Sequence, residues 1–495
     1  MSRPSSFPRS IGRVLVTVAA VLAAAVLGIV VSPSPDRTIA AEGQPLGAGG
    51  EYQGITPTRI YDSRFPAQAQ GQPGPLLMSA SETNQTIDIE VTGNGVLPEF
   101  VDDDNDGQDD NVLAVVVNIT VIDPTAVGFL RAYGTDAPEG TTSVVNFFAG
   151  SVLPNTAIIR PGTDGKMSMR LVSPTGPGTA QVAVDITGWF STSQYDERGD
   201  RVIAIDPIRV YDSDLGQFGA ATLKGRSQVR VPIRGAAEVS APNSPVIPAG
   251  PDVVGVIANV TGVNAFPGSQ ATFISALPEA QPAGTTPSTS TVNLIPGQIR
   301  PNMAILPLGA DGSIHLFNLT GEVRMVVDVV AYLLADTDED SRAGRVVPLV
   351  APFRAFDTRE GEFGNQPLGP AEAEDFSFES FIADVKIDDD PVGAQSALIG
   401  NLTATGLQRQ YPAEPAATFL TGFPTPSSGQ AVPLVSNINI TENDTVPNLS
   451  LLPYGARPAP AGDGRCEEAH CIRFYNRAGY LDYLLDVYAV ILEDG

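Results

Sequence analysis

The sequence predicts an all-β protein made of three tandem antiparallel β-sandwich units, jelly-roll-like, behind a single N-terminal apolar helix. Three observations carry this expectation. A block of about 145 residues recurs three times with its landmarks in fixed order. Between landmarks the apolar runs are short, rich in β-branched residues and bounded by turn pairs such as Asp164-Gly165, Asp311-Gly312 and Pro161-Gly162. The 43 prolines and 49 glycines among 495 residues leave little room for long helices, while 42% apolar residues suffice to fill cores.

The first element is the helix. Arg3, Arg9 and Arg13 precede the uncharged run Val14 to Val31, and Ser32-Pro33-Ser34-Pro35 ends it. Positive charge followed by an apolar run is a secretion signal or a signal anchor. At 18 residues the run exceeds the usual cleavable core of about 7 to 15 and sits at the low end of what spans a bilayer. It therefore fits both a signal peptide cleaved after Ala40-Ala41 and a retained transmembrane helix. Residues 1–41 are set apart on that basis, and the positive-inside rule places the remainder outside the cytoplasm, secreted or anchored to the cell membrane.

The repeats follow as 42–195, 196–343 and 344–495. Pro57-Thr58-Arg59-Ile60-Tyr61-Asp62-Ser63-Arg64 returns as Pro207-Ile208-Arg209-Val210-Tyr211-Asp212-Ser213 and as Pro352-Phe353-Arg354-Ala355-Phe356-Asp357-Thr358-Arg359. Each opening leads to an apolar strand ending in Asn-x-Thr, at Asn118, Asn259 and Asn401. A Ser-x-x-Asn step comes next, with a second asparagine nine residues on: Ser143, Asn146 and Asn155; Ser290, Asn293 and Asn302; Ser436, Asn439 and Asn448. Each unit closes on an apolar strand around Asp185, Asp328 or Asp486. The polar stretches Ser191 to Asp200 and Ala335 to Gly344 read as linkers.

These landmarks resemble a module of secreted proteins from high-GC Gram-positive (actinobacterial) bacteria, whose copies open with Pro-x-Arg-x-x-Asp-(Ser/Thr)-Arg. The resemblance spans residues 50–495 and is best in the first unit, with Gly128-Phe129-Leu130, Gly150 to Asn155 and Asp185-Ile186-Thr187-Gly188-Trp189-Phe190. The second unit departs from it with Asp214 where the others have Arg64 and Arg359. The third is longer between Asn448 and Asp486 and lacks the glycine before its terminal aromatic. The module carries no established activity, so the resemblance implies a place rather than a reaction.

The chemistry the sequence offers is mostly structural. Arg59 and Asp62, Arg209 and Asp212, and Arg354 and Asp357 sit three apart, where a guanidinium can tie a carboxylate and loop carbonyls together. Asp185, Asp328 and Asp486 lie inside apolar strands, where an unpaired charge is costly, so Arg59, Arg209 and Arg354 are their expected partners. The asparagines are read as loop fasteners. Cys466 and Cys471 in an exported chain point to a local disulfide. In the acidic loop Asp102 to Asp110, Asp102, Asp104, Asp106 and Asp110 with Gly107 resemble a calcium loop, although Leu113 takes the place of the closing glutamate. That loop is read either as a calcium site or as a solvated acidic turn, and calcium is the one cofactor expected.

Charge and composition exclude more than they identify. Twenty-nine basic against 56 acidic residues leave a net charge of -27, which repels nucleic acid and anionic membrane surfaces. Two histidines in the whole chain leave little basis for imidazole catalysis. The expected protein is a non-enzymatic, extracytoplasmic repeat protein with a structural, adhesive or glycan-binding role, its partner an envelope glycan or another surface protein. The competing reading is a secreted carbohydrate-active hydrolase with paired carboxylates.

Overall fold

The computed structural model describes residues 49–494 except 81–84, 102–110, 193–194, 196, 220–221, 336–340, 362–365, 380, 382–385, 388–389, 392–393, 410, 412–414, 426–431, 456–465 and 467–469. The apolar run 14–31 and the acidic loop 102–110 lie outside these residues. Among the described residues the elements are β-strands and single-turn 3₁₀ segments, with α-helical conformation at Glu379 and Phe381.

Each unit rolls one long hairpin into two facing layers of four strands, and the layers of units 1 and 2 that contain their first strands join through those strands, with two short added strands, into one ten-stranded sheet. In unit 1 the first, eighth, third and sixth strands (Glu51–Asp62, Gly178–Ser191, Val112–Ile122 and Val152–Ile159) lie side by side. The second, seventh, fourth and fifth (Thr86–Glu90, Lys166–Val172, Gly128–Gly134 and Val145–Phe147) form the other layer. Pairing 1 with 8, 2 with 7, 3 with 6 and 4 with 5 is the jelly roll. Unit 2 repeats the order with Asp200–Asp212, Glu322–Ala335, Val253–Val263 and Ile299–Pro307 against Ser227–Pro232, Ser313–Asn318, Thr272–Leu277 and Val292–Leu294. Unit 3 does so with Val346–Asp357, Tyr480–Leu492, Gln395–Gln408 and Thr445–Pro453 against Glu372–Ser377, Cys471–Asn476, Ala417–Pro424 and Ile438–Thr441.

The three units are not strung out on linkers but packed into one body, each presenting its first, eighth, third and sixth strands to the others. Strand periodicity shows why. A sandwich covers one face of a strand, yet Val112–Ile122 is buried at every position. In unit 2, Val256 and Ala258 fill the unit's own sandwich, while Ile257 between them joins Met303, Ile305 and Val330 in an apolar cluster shared by all three units. Both faces are therefore core, and the apolar run does not alternate with polar residues because neither face meets water.

The first strands meet at one end of the assembly. Gly50 N donates to Val346 O and Val202 N to Gly344 O, both at 2.8 Å, and Tyr52 stands opposite Asp200. Glu51 clasps the junction: its Oε1 lies 3.3 Å from Arg201 Nη2 and 3.0 Å from Arg345 Nη2, and its Oε2 accepts from Gly199 N at 2.9 Å. One carboxylate thus holds all three units. Tyr52 also explains the glycine of unit 1's closing strand, since a Cβ on Gly188 would fall on the Tyr52 phenol. Units 2 and 3 carry Val202 and Val347 in the tyrosine's place, and there Ala331 and Ala489 fit where unit 1 requires glycine.

Candidate functional site

The landmark residues form two constellations. The first is the arginine cluster at the end of each opening strand. Arg59 Nε and Nη2 donate to Asp185 Oδ1 and Oδ2 at 2.7 and 3.0 Å, and its Nη1 donates to Asp62 Oδ2 at 2.9 Å. Arg209 repeats this with Asp328 at 2.8 and 3.2 Å and with Asp212 at 3.2 Å; Arg354 does so with Asp486 at 2.9 and 3.2 Å and with Asp357 at 3.0 Å. The register places each arginine directly opposite its strand aspartate, so the spacing in sequence becomes a cross-strand bidentate pair. In units 1 and 3 a second guanidinium, from Arg64 or Arg359, grips the same Asp62 or Asp357 carboxylate from the solvent side.

The electrostatics divide the two carboxylates of a cluster. Burial pushes Asp185, Asp328 and Asp486 above the usual carboxylate range, with the paired arginine pulling against it. Burial acts in the same direction on Asp62 and Asp357, but hydrogen bonds and charge from Arg64 and Arg359 overcome it and hold them below that range. In unit 1, every nitrogen of Arg59 that can form a side-chain ion pair already does so.

The second constellation is a ring of asparagines between the units. Asn118 Nδ2 donates to Ser290 O, Asn259 Nδ2 to Ser436 O, and Asn401 Nδ2 to Ser143 O, which closes the cycle. The second asparagines run the other way: Asn302 Nδ2 donates to Asn118 Oδ1 at 3.1 Å, Asn448 to Asn259 at 2.9 Å, and Asn155 to Asn401 at 3.0 Å. Their own Oδ1 atoms accept from Thr156 N, Met303 N and Leu449 N across the same interfaces. Asn146, Asn293 and Asn439 donate to the hydroxyls of Ser143, Ser290 and Ser436, and so shape the turns whose serine carbonyls receive the ring. The strand aspartates extend the network, because Asp328 Oδ2 accepts from Ser436 N at 3.0 Å and Asp486 from Ser143 N. All six ring asparagines are buried. The nine-residue spacing is thus the distance from the asparagine that shapes a serine turn to the ring asparagine on the next strand.

The sequence alone reads these amides as loop fasteners; the ring shows that they fasten one unit to the next. A signal for this lay in the sequence. An asparagine within an apolar run such as Val115-Val116-Val117-Asn118-Ile119 needs a partner on whichever face it points to, and a run without alternation is covered on both faces.

The remaining candidates stand apart. Cys466 and Cys471 form a disulfide with Cα atoms 6.2 Å apart, and His470 Nδ1 lies 2.8 Å from Glu379 Oε1. Asp102, Asp104, Asp106 and Asp110 lie outside the described residues. Among the described residues no group of three or more His, Cys, Asp or Glu is disposed to hold a metal ion.

Asp200, at the meeting of the first strands, gives a test of that junction. Burial, aided by Glu51, pushes its carboxyl up to about 6. A group whose pKa is raised on folding favours the folded state most below its unfolded value, about 3.9, and that contribution is lost as pH rises through about 6. Asp200→Asn should therefore flatten the stability profile between about pH 4 and 6 and raise the melting temperature at pH 7.5, on the order of 2 °C. An unchanged slope would mean that Asp200 is solvated.

The fold and the ring together define a class: three jelly rolls closed into an intramolecular pseudo-trimer. No family model matches the chain, and no curated protein matches it. Among solved structures it is similar to the triple jelly roll fold and turret assembly of an archaeal virus, at 9% identity over 90% of each chain and a TM-score of 0.17. It is also similar to the N-terminal CBM22-1-CBM22-2 tandem domain of Paenibacillus barcinonensis Xyn10C, at 10% identity over 54% of this chain and 88% of that one, TM-score 0.15. A third likeness is to Sulfolobus Turreted Icosahedral Virus, at 9% identity over 83% of this chain and 84% of that one, TM-score 0.15. At these scores none of them bears on what this chain does.

Proposed function

We propose that the chain is a non-enzymatic extracytoplasmic scaffold with a structural, adhesive or glycan-binding role at the cell envelope, of the kind its actinobacterial resemblance implies. One observation carries this reading. The polar residues shared by all three units are bonded inward, guanidinium to carboxylate and amide to amide around the ring. Repetition here encodes architecture, and contact with other molecules falls to surfaces on which the units differ. The disulfide and the N-terminal apolar run support an oxidising location outside the cytoplasm. The test is retention of the full-length protein on peptidoglycan and a glycan panel, with a hydrolysis assay on the same ligands. Retention without turnover is expected. Turnover abolished by a single carboxylate substitution would make the chain a hydrolase instead.

Calcium at the acidic loop belongs to the same reading. Six acids within Asp102 to Asp110, with no Lys or Arg among them, call for a counter-charge, and alternation at Asp102, Asp104 and Asp106 before Gly107 suits one hard cation. Without the closing glutamate the affinity should be that of extracellular sites, about 10⁻⁴ to 10⁻³ M. Millimolar calcium should raise the melting temperature more than equal magnesium, and a variant carrying Asp104→Asn with Asp106→Ser should lose the difference. Equal weak responses to both ions would leave only a solvated acidic turn.

A further inference from the structure

The three arginine clusters are not equivalent, and the difference falls on one carboxylate. In units 1 and 3 the inner aspartate is capped from solvent by a second guanidinium. Arg64 Nε and Nη2 meet Asp62 Oδ1 and Oδ2 at 2.9 and 2.7 Å, and Arg359 meets Asp357 at 2.8 and 2.5 Å. In unit 2 that position in sequence is Asp214. Its backbone N still donates to Asp212 Oδ1 at 3.0 Å, as those of Arg64 and Arg359 do to theirs. The loop therefore keeps its shape, but among the described residues no guanidinium replaces the missing one. Arg324, the nearest candidate, has Nη1 3.2 Å from Asp214 Oδ2 and its guanidinium over the Phe266 ring.

Two consequences follow. The Asp212 side chain is 18% exposed, where Asp62 and Asp357 are 0% and 1%. The sign at that position is also reversed: Asp214 stands where the sister units carry Arg64 and Arg359, so that Arg209 and Arg324 lie among Asp212, Asp214, Asp328 and Glu238. Glu238 receives Arg209 N on Oε2 at 3.0 Å, but its buried Oε1 has no hydrogen-bond partner. Beside this opening, Leu215 and Phe218 stand exposed, with Phe218 stacked on Tyr211.

We propose that the Asp212 carboxylate of unit 2 binds a guanidinium supplied from outside the chain, an arginine side chain of a partner protein, in the place that Arg64 and Arg359 fill internally in the sister units. The chemistry is specified by the chain itself. The same carboxylate, on the same turn, holds an arginine fork in both other copies, and the fork's planar bidentate geometry is one that an ammonium does not reproduce. Leu215 and Phe218 give the arriving segment apolar contacts at the rim. This inference is independent of the glycan reading, since it concerns a protein ligand and a different readout.

The test uses the full-length protein and two probes, Nα-acetyl-arginine amide and Nα-acetyl-lysine amide, followed by ligand-observed NMR and calorimetry. Wild type should bind the arginine probe at one site, at least tenfold more tightly than the lysine probe. Asp212→Asn should weaken arginine binding at least tenfold. Asp214→Arg combined with Arg324→Gln gives unit 2 the residues that unit 1 carries at the same positions of the repeat, Arg64 and Gln181, and should abolish binding while raising the melting temperature. Arg64→Ala should uncover Asp62 and double the stoichiometry, which a nonspecific acidic surface would not do. Equal binding of both probes, no binding in wild type, or undiminished binding in the Asp214→Arg, Arg324→Gln variant would overturn the proposal.

Discussion

Replacing Asp486 by alanine should destabilise the chain by about 3–5 kcal/mol, the range expected when one partner of a buried pair is removed. Asp486 is fully buried in the closing strand of unit 3 and accepts both Nε and Nη2 of Arg354 as well as the backbone N of Ser143 in unit 1. Alanine would leave Arg354 with only Asp357 and would strip the Ser143 amide of its acceptor, so damage is expected in two units from one substitution. Asp486→Asn, which keeps the shape and a hydrogen-bond acceptor, should cost less. Chemical denaturation followed by two probes, one reporting on unit 1 and one on unit 3, measures this. Both should shift together, because the apolar cluster runs across the units. A loss below about 1 kcal/mol, or a shift confined to unit 3, would mean that the pair does not join them.

Much of the architecture was legible in the sequence, for a physical reason. Strands stand out when they are short, β-branched and punctuated by turn residues, and three copies with fixed spacing supply their own comparison. The pairing of Arg59 with Asp185 could be expected because a charge in an apolar strand has few alternatives. The closed ring was harder to read. Its bonds connect Asn118 to Ser290 and Asn401 to Ser143, contacts between copies that spacing within a copy does not encode. The role of Glu51 is likewise not encoded locally, since it lies outside the repeated motif and depends on Arg201 and Arg345 arriving from other units. The Asp214 departure was visible as a lapse in the pattern, but its meaning required seeing the guanidinium that Arg64 places on Asp62.

Cutting the chain into 42–195, 196–343 and 344–495 should give units that do not hold the native fold alone, although each carries a complete sandwich. Each would expose an apolar face, with Ile257, Met303 and Ile305 in unit 2, together with ring asparagines that have lost their acceptors. A unit could in principle rebuild the ring from three copies of itself, since each supplies one donor asparagine and one serine turn. The ion pairs between units oppose that. A trimer of unit 1 would gather three copies of Glu51 without Arg201 or Arg345. Unit 2 alone would gather three of Arg300, which in the intact chain pairs with Asp444 of unit 3, and unit 3 alone would gather three of Asp444 without Arg300. Like charges brought together in a desolvated site disfavour every such assembly, whereas the order 1-2-3 satisfies all of them. Sedimentation should therefore show no well-defined homotrimer for any unit, and an equimolar mixture should recover a 1:1:1 complex with the cooperative melt of the intact chain. A stable homotrimer of one unit, or a monomer as stable as the whole, would show that the ring and the ion pairs between units do not hold the fold together.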